Sequence, residues 1–480
     1  MPPIFEITHK DICGRIGRLD TLHGTVETPA IMPVVNPNIQ TIKPSELRKF
    51  GAEIIITNSY IIYRKPELRE RALSEGLHSM LDFDGPIMTD SGSYQLSVYG
   101  EVEVNNAEIV QFQQEIGSDI GVPLDIPTPP DVSKERAERE LEITIERAKE
   151  ALGLKKDMLL AAPVQGSTFP ELREKAARRL CEADFDVYPL GAVVPLMESY
   201  RYSDLVDVIV ASKKGLSPSA PVHLFGAGHP MMFSLAVALG CDLFDSASYA
   251  LYAKEGRYMT VRGTYHVEEL QYLPCSCPVC TSHDAEEIIK SENQQELLAR
   301  HNLYVTFAEM REVKQAIKEG SLWELVEQRC RSHPQLLNGL KRMLYYSDWL
   351  EQFQPASRAT FFYSGPESAL RPEVMRYREK LKNLNLKGRV LIRTRRLDNE
   401  DEFDWVLDFK PPFGPYPLEL AETYPLNAEV IDEPDYESLT AALKNTLSLM
   451  ELNPDSEFAI VFDDLPEHPL LNEIKKRSEG

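Results

Sequence analysis

Glu53-Ile-Ile-Ile-Thr-Asn58, Pro86-Ile-Met-Thr-Asp90 and Cys241-Asp-Leu-Phe-Asp245 share one form, a short aliphatic run that ends on a polar side chain. Such runs are too short for helices and apolar on both faces, so they read as strands covered on both sides. Five more short runs join the series, most of them ending in a polar residue or glycine: Pro29 to Val35, Ile120 to Asp125, Met158 to Gln165, Val187 to Gly191 and Val222 to Gly226. Between most of them lie segments with apolar residues at i, i+3 and i+4. These are Pro66 to Leu81, Ala107 to Gly117, Ser133 to Leu152, Pro170 to Ala183, Tyr202 to Lys213 and Pro230 to Leu239, which read as helices. Thr168 and Glu171 form a T-x-x-E pattern, read as a capping box. Alternating strands and helices give parallel strands, and eight units give an α/β fold, a closed (β/α)8 TIM barrel. An open doubly wound sheet is the alternative, but no G-x-G-x-x-G follows the first strand.

In such a barrel the carboxyl ends of the strands converge on one mouth. That mouth receives Asn58, Asp90, Asp125, Gln165, Gly191, Gly226 with His229, and Asp245. Three carboxylates, an amide and several glycines suit a planar, hydrogen-bonding substrate and a positively charged transition state. One aspartate at a strand end more often caps a loop, but three on separate units of one barrel favour a site.

The chain has 480 residues, 43% hydrophobic and 26% charged, a globular composition long enough for two or three domains. No apolar run approaches the ~20 residues that span a bilayer, and the opening Met-Pro-Pro-Ile-Phe-Glu lacks a signal-peptide pattern. A cytoplasmic protein with no membrane partner is expected. The net charge of −23 opposes non-specific nucleic-acid binding, so a nucleic-acid partner would have to meet a local basic patch. Lys254, Arg257 and Arg262 form one candidate, and Lys387, Arg389, Arg393, Arg395 and Arg396 another. Taken singly, each is more simply a solvated surface charge.

Seven cysteines, with Cys275, Cys277 and Cys280 packed together and the rest scattered, do not form a disulfide framework. Three thiolates with a histidine suit one tetrahedral Zn2+. The fourth ligand is taken as His301, on a helix read over Ser291 to Val305, although His283 is nearer in sequence. Four protein ligands close the shell, so the ion is expected to be structural. A catalytic zinc deaminase would keep one position open. His266-Val267-Glu268 gives the H-x-E of that class, but it lies close to the cluster, and the extra thiolate would fill the open position.

From about Tyr345 the pattern turns α+β. Phe361-Phe-Tyr and Arg389 to Arg393 read as strands, and Pro372 to Leu384 and Tyr436 to Leu449 as helices. The Pro-rich stretch Lys410 to Pro417 reads as a join between two small subdomains. The organisation expected is a catalytic barrel over residues 1–345, with a zinc subdomain at about 265–310, and a small α+β region over 346–480.

Thr89-Asp90-Ser-Gly-Ser-Tyr-Gln95, Pro163-Val-Gln165-Gly-Ser and Leu243-Phe-Asp245-Ser, followed by C-x-C-x-x-C and a later histidine, closely resemble tRNA-guanine transglycosylases. Pro123-Leu-Asp125-Ile-Pro-Thr and Pro412-Phe-Gly-Pro-Tyr-Pro resemble the archaeal branch. The resemblance implies exchange of guanine at position 15 of the tRNA D-loop for 7-cyano-7-deazaguanine (preQ0), the first tRNA step toward archaeosine. It implies Asp245 as nucleophile and Asp90 as general acid/base, the reverse division being the alternative. Asp125 and Gln165, with the backbone amides around Gly191 and Ala192, would read the base. Lys254, Arg257 and Arg262 would contact tRNA phosphates. A homodimer is implied, and with no PUA domain evident, a separate PUA-containing protein is the expected partner in holding tRNA. An archaeosine synthase paralogue and a non-catalytic tRNA-binding subunit are the rivals, and both are disfavoured because Asp90, Asp245 and the metal ligands are all present.

Overall fold

The alternation Phe5-Glu-Ile-Thr-His-Lys-Asp11 opens an antiparallel meander that precedes the first predicted strand. Its strands are β1 (Phe5–Asp11), β2 (Gly14–Thr21) and β3 (Gly24–Thr28), with Gly24 in a positive-φ turn. The structure is a computed structural model that describes residues 4–93, 104–359 and 361–478. It comprises two units, Met1–Arg342 and Met343–Gly480.

All eight predicted barrel strands are present. They are β4 (Ala30–Val35), β5 (Ile55–Asn58), β6 (Ile87–Asp90), β7 (Ile120–Gly121), β8 (Leu159–Leu160), β9 (Tyr188–Leu190), β10 (Val222–Leu224) and β11 (Leu243–Ser246). They pair in parallel in the order β8-β7-β6-β5-β4-β11-β10-β9. The two ends meet through parallel bridges Ala161 to Val187 and Val164 to Leu190, which close the ring. Met32, Ile56, Met88, Ile120, Leu159, Val187 and Leu243 are buried in its core. The regular ladders of β7 and β8 stop early because Pro123 and Pro163 have no N–H to donate.

Several helices depart from the sequence reading. The segment Pro66 to Leu81 is two helices, Pro66–Glu75 and Leu77–Leu81, broken at Gly76 with φ +81°. Pro230 to Leu239 opens as a tight 3-10 turn before the helix Phe233–Ala238. The capping box at Thr168 and Glu171 does not form. Pro170 starts the helix Pro170–Cys181 with Phe169 as its cap, which leaves Thr168 outside, and Glu171 instead pairs with Lys134 at 2.7 Å. After β11 come the helix Ser248–Lys254, the hairpin β12 (Arg257–Thr260) and β13 (Gly263–His266), and the long helix Gln294–Glu319.

The second unit is a four-stranded sheet of β14 (Gly388–Arg393), β15 (Trp405–Lys410), β16 (Gly414–Pro417) and β17 (Ser456–Val461) in the order β16-β15-β14-β17. The stretch Lys410 to Pro417 is a hairpin of this sheet rather than a join, since β15 and β16 pair antiparallel across it. Phe361-Phe-Tyr adds one bridge, Phe362 to Glu429, in place of a strand. Three of the five residues of the second basic segment are paired within this unit: Arg393 is buried against Asp408 and Glu400, Arg395 meets Asp463, and Arg389 lies beside Glu402 and Glu457. Among the described residues, no helix is long and apolar enough to cross a membrane.

Candidate active site and metal centre

Most of the predicted mouth residues fall at or just past the ends of their strands, where Asn58 pairs with Asp90, Asp125 with Gln165, and Gly226 with Asp245. Asn58 closes β5 and Asp90 closes β6, neighbours in the ladder. The Asn58 amide donates to Asp90 Oδ1 at 2.7 Å while its own oxygen caps the following helix through Ile61 N. Gly92 N also donates to Asp90 Oδ1, at 2.7 Å, and its positive φ of +81° makes that turn. Burial pushes the Asp90 carboxyl up to about 7, the Gly92 amide opposes this, and the charges of Asp245 and Asp125 add to it. Tyr94 and Gln95 of the same motif lie outside the described residues.

Asp125, just past β7, and Gln165, just past β8, form the second pair, with Gln165 Nε2 donating to Asp125 Oδ2 at 2.5 Å. Ser93 Oγ accepts from Asp125 N and ties this pair to the Asp90 loop. Gln165 is fully buried, and its Oε1 has no partner among the described residues. Gly191 lies directly behind that amide, so a Cβ there would overlap Gln165 Nε2. Ala192 follows at φ +58°, a backbone conformation costly for a residue other than glycine. Burial raises the Asp125 carboxyl, opposed by its bonds to Ser93 and Gln165.

Asp245, in β11, is 8% exposed and accepts two hydrogen bonds on Oδ1, from Gly226 N at 2.7 Å and from His223 Nε2 at 2.8 Å. His229 turns instead to the β12–β13 hairpin, 2.9 Å from Thr264 Oγ1, and burial lowers its imidazole to about 4, so it is neutral.

Two residues absent from the sequence reading complete the mouth. His223 is fully buried within β10, the polar member of Val-His-Leu, and such a residue in an otherwise aliphatic barrel strand is the signal that could have found it. Arg173 shares the helix spacing of Leu172, Ala176, Ala177 and Leu180, all buried, so its place on a core face was also legible. Its guanidinium donates to the carbonyls of Ser167 (2.8 Å), Val164 (2.7 Å) and Gly191 (2.9 Å). Burial lowers it to about 9, partly offset by the Asp125 carboxylate.

The cysteine cluster assembles as spaced in sequence. Cys277 Sγ lies 3.6 Å from Cys280 Sγ, and His301 Nδ1 lies 3.5 Å and 3.3 Å from these two sulfurs. Together with Cys275 the four ligand atoms lie within 4.8 Å of one another. A tetrahedral ion with metal–sulfur and metal–nitrogen bonds of about 2.3 and 2.0 Å has edges of about 3.7 and 3.5 Å, so the donor set fits a metal ion. His301 Nε2 donates to Met259 O at 2.9 Å, which leaves Nδ1 free to coordinate. Tyr258 stacks on the imidazole at 3.6 Å. His283 turns away, 3.1 Å from Val279 O. Because His301 sits on the long helix and Met259 and Tyr258 on β12, the cluster fastens the hairpin to that helix.

Of the basic segment, Lys254 and Arg262 are exposed, whereas Arg257 lies 3.0 Å from Glu255 and over the Tyr252 ring.

A family model described as queuine tRNA-ribosyltransferase matches residues 11–335. The tRNA-guanine(15) transglycosylase of Methanosarcina barkeri is 65% identical over 480 residues, 100% of this chain and 98% of its own. That of Haloferax volcanii is 55% identical over 472 residues, 97% of this chain and 92% of its own. That of Thermococcus kodakarensis is 58% identical over 386 residues, 80% of this chain and 66% of its own. With a family match spanning the barrel and the cysteine cluster, and identities above one half over nearly the whole chain, this chain belongs to the queuine tRNA-ribosyltransferase family.

Proposed function

We propose that this chain exchanges guanine at position 15 of tRNA for preQ0, through a covalent ribosyl-enzyme, as the first tRNA step of archaeosine synthesis. The full-length relatives named tRNA-guanine(15) transglycosylase support the reaction. The observation that carries it is a pair of mouth carboxyls in unlike settings: Asp90, raised to about 7, and Asp245, held by two donors on one oxygen. Two groups set apart in this way divide acid/base work from nucleophilic work.

Breaking the glycosidic bond builds oxocarbenium character at C1′, which a carboxylate can trap. His223 and Gly226 bind Asp245 Oδ1, leaving Oδ2 to attack C1′ as the bond to guanine breaks. Asp90 gives its proton to the departing guanine. It then takes one from the incoming base, whose nitrogen attacks C1′ and releases Asp245, so configuration is retained overall. Gln165 Oε1, buried and without a partner among the described residues, accepts a donor on the base edge, and Asp125 and the Gly191–Ala192 backbone complete the reading. A pyrimidine would leave these buried groups unpaired. Extracting the target nucleotide costs a few kcal/mol, and Lys254, Arg257 and Arg262 are suited to offset this through phosphates.

The ion in the cysteine cluster is proposed to be zinc, by its three-thiolate, one-imidazole set. All four ligands are protein side chains, so its role is to hold the hairpin. The test is incorporation of radiolabelled guanine into transcribed tRNA. Label at position 15, lost when that position is adenine, is expected, whereas label elsewhere or none would sink the reading.

A further inference from the structure

Three aspartates sit one or two residues before barrel strands, at the end opposite the mouth: Asp119 before β7, Asp186 before β9 and Asp242 before β11. Each accepts a backbone N–H from a neighbouring strand, of Ile87 (2.8 Å), Leu160 (2.7 Å) and Val222 (2.8 Å) respectively. Asp186 is met by Lys155 at 2.5 Å, and Asp242 by Arg15 through two bonds of 2.7 Å. Each of these two anions therefore has a permanent cation. Asp119 has two imidazoles instead: His23 Nδ1 lies 2.9 Å from Oδ1 and His78 Nε2 lies 2.9 Å from Oδ2. No lysine or arginine pairs with it among the described residues. Asp119 is fully buried, and the two rings stack at 3.7 Å.

We propose that His23, His78 and Asp119 form a second metal site, for a borderline divalent cation such as Ni2+, Co2+ or Zn2+. It supplies at Asp119 the positive charge that Lys155 and Arg15 supply at the other two strand starts. Two imidazoles and a carboxylate are the nitrogen and oxygen set that such ions prefer. The three ligand atoms lie within 4.8 Å of one another. Each 2.9 Å nitrogen–oxygen edge runs to a different carboxylate oxygen, the spacing of ligands about 90° apart around an ion about 2.05 Å away that both oxygens face. On binding, each imidazole keeps one proton, moving it to the far ring nitrogen so that the near one coordinates, and no proton need be lost. Ile87 N and His23 N, the latter 2.9 Å from Oδ1, continue to hold the carboxylate from behind, as outer donors do in metal sites. The His23 side chain is 43% exposed, which gives the ion an entry path and leaves room for water ligands. His23 lies in the β2–β3 turn and His78 in the helix Leu77–Leu81, so the ion would fasten the meander and that helix to the base of the barrel. A clamp at this end bears on stability rather than on chemistry.

The test uses the full chain with its cysteine cluster loaded, titrated with Ni2+ and Co2+. The wild type is expected to take up one equivalent more than His78→Gln or His23→Gln, with affinity in either variant weakened at least ~tenfold. Bound Co2+ should show visible d–d bands without a thiolate charge-transfer band, and Ni2+ should raise the melting temperature of the wild type only. His23→Gln alters a half-exposed turn residue, so the comparison stands even if His78→Gln fails to fold. Equal metal uptake and equal melting shifts in wild type and His23→Gln would show that the imidazoles only hydrogen-bond the carboxylate, and would overturn the proposal.

Discussion

Replacing Arg173 with methionine should loosen the base-reading wall without touching any group proposed to react. The guanidinium donates three bonds, to Ser167, Val164 and Gly191, and the last two flank Gln165. Hydrogen bonds from a charged donor contribute ~1.5–3 kcal/mol each, a gross of about 5–9 kcal/mol. Methionine also removes the several kcal/mol spent burying an unpaired cation, so the net loss is about 2–4 kcal/mol. For the unit Met1–Arg342, unfolding entropy of ~2.1 cal/mol/K per residue turns this into a fall of about 3–6 °C in melting temperature. If ~1.4–2.7 kcal/mol of that loss is felt by the bound base, KM for guanine rises about 10- to 100-fold with kcat less affected. Arg173→Lys keeps the charge but not the planar fork, and should recover only part of both effects. Calorimetry and guanine-exchange kinetics on the three proteins decide the matter. A methionine variant that melts within 1 °C of wild type, with an unchanged KM, would refute the reasoning.

Asp90 gives a pH prediction of definite sign. Its carboxyl is raised from the ordinary 3.8 to about 7, so between these values the folded chain holds a proton that the unfolded chain has released. Stability from this group is therefore full below about 4 and is lost as pH rises through about 7. Asp90→Asn, neutral throughout, should gain stability relative to wild type across that window and level off above it, as urea unfolding at pH 5, 6 and 8 would show. Exchange should peak near pH 7, where Asp90 can both give and take a proton. His223→Phe removes one donor from Asp245 and should lower kcat about 10- to 100-fold, with His223→Gln restoring part of it; equal loss in both would show that only packing matters. Chelation, or Cys277→Ser, should lower activity and melting temperature together by freeing β12 from the long helix. Loss of kcat at an unchanged melting temperature would instead give the metal a part in the chemistry.

The barrel was legible because its strands lie in short apolar runs, several of them closed by a polar residue such as Asn58 or Asp90, and all eight lie where such runs occur. The meander was missed because β1 is mostly exposed between a buried Phe5 and a buried Asp11 and carries no long apolar run. The hairpin at Lys410 to Pro417 was misread because its prolines resemble a linker, yet its own Phe413 and Tyr416 are buried. At the mouth, the carboxylates and the amide stood out as polar ends of strands. His223 and Arg173 did not, because each reaches the site from a core position: the pairing of β10 with β11 brings His223 beside Asp245, and the closure of the ring between β8 and β9 brings Arg173 beside Gly191. The cysteine cluster needed least from the fold, since three of its ligands are neighbours in sequence.

The central claim, a ribosyl-enzyme formed on Asp245, is tested most directly by trapping tRNA with the enzyme and resolving the mixture on a denaturing gel. Wild type should give an RNA–protein adduct that free guanine dissolves back to intact tRNA, and Asp245→Ala should give none. An adduct that persists in Asp245→Ala, or wild-type tRNA left with an abasic site in place of an exchanged base, would contradict it.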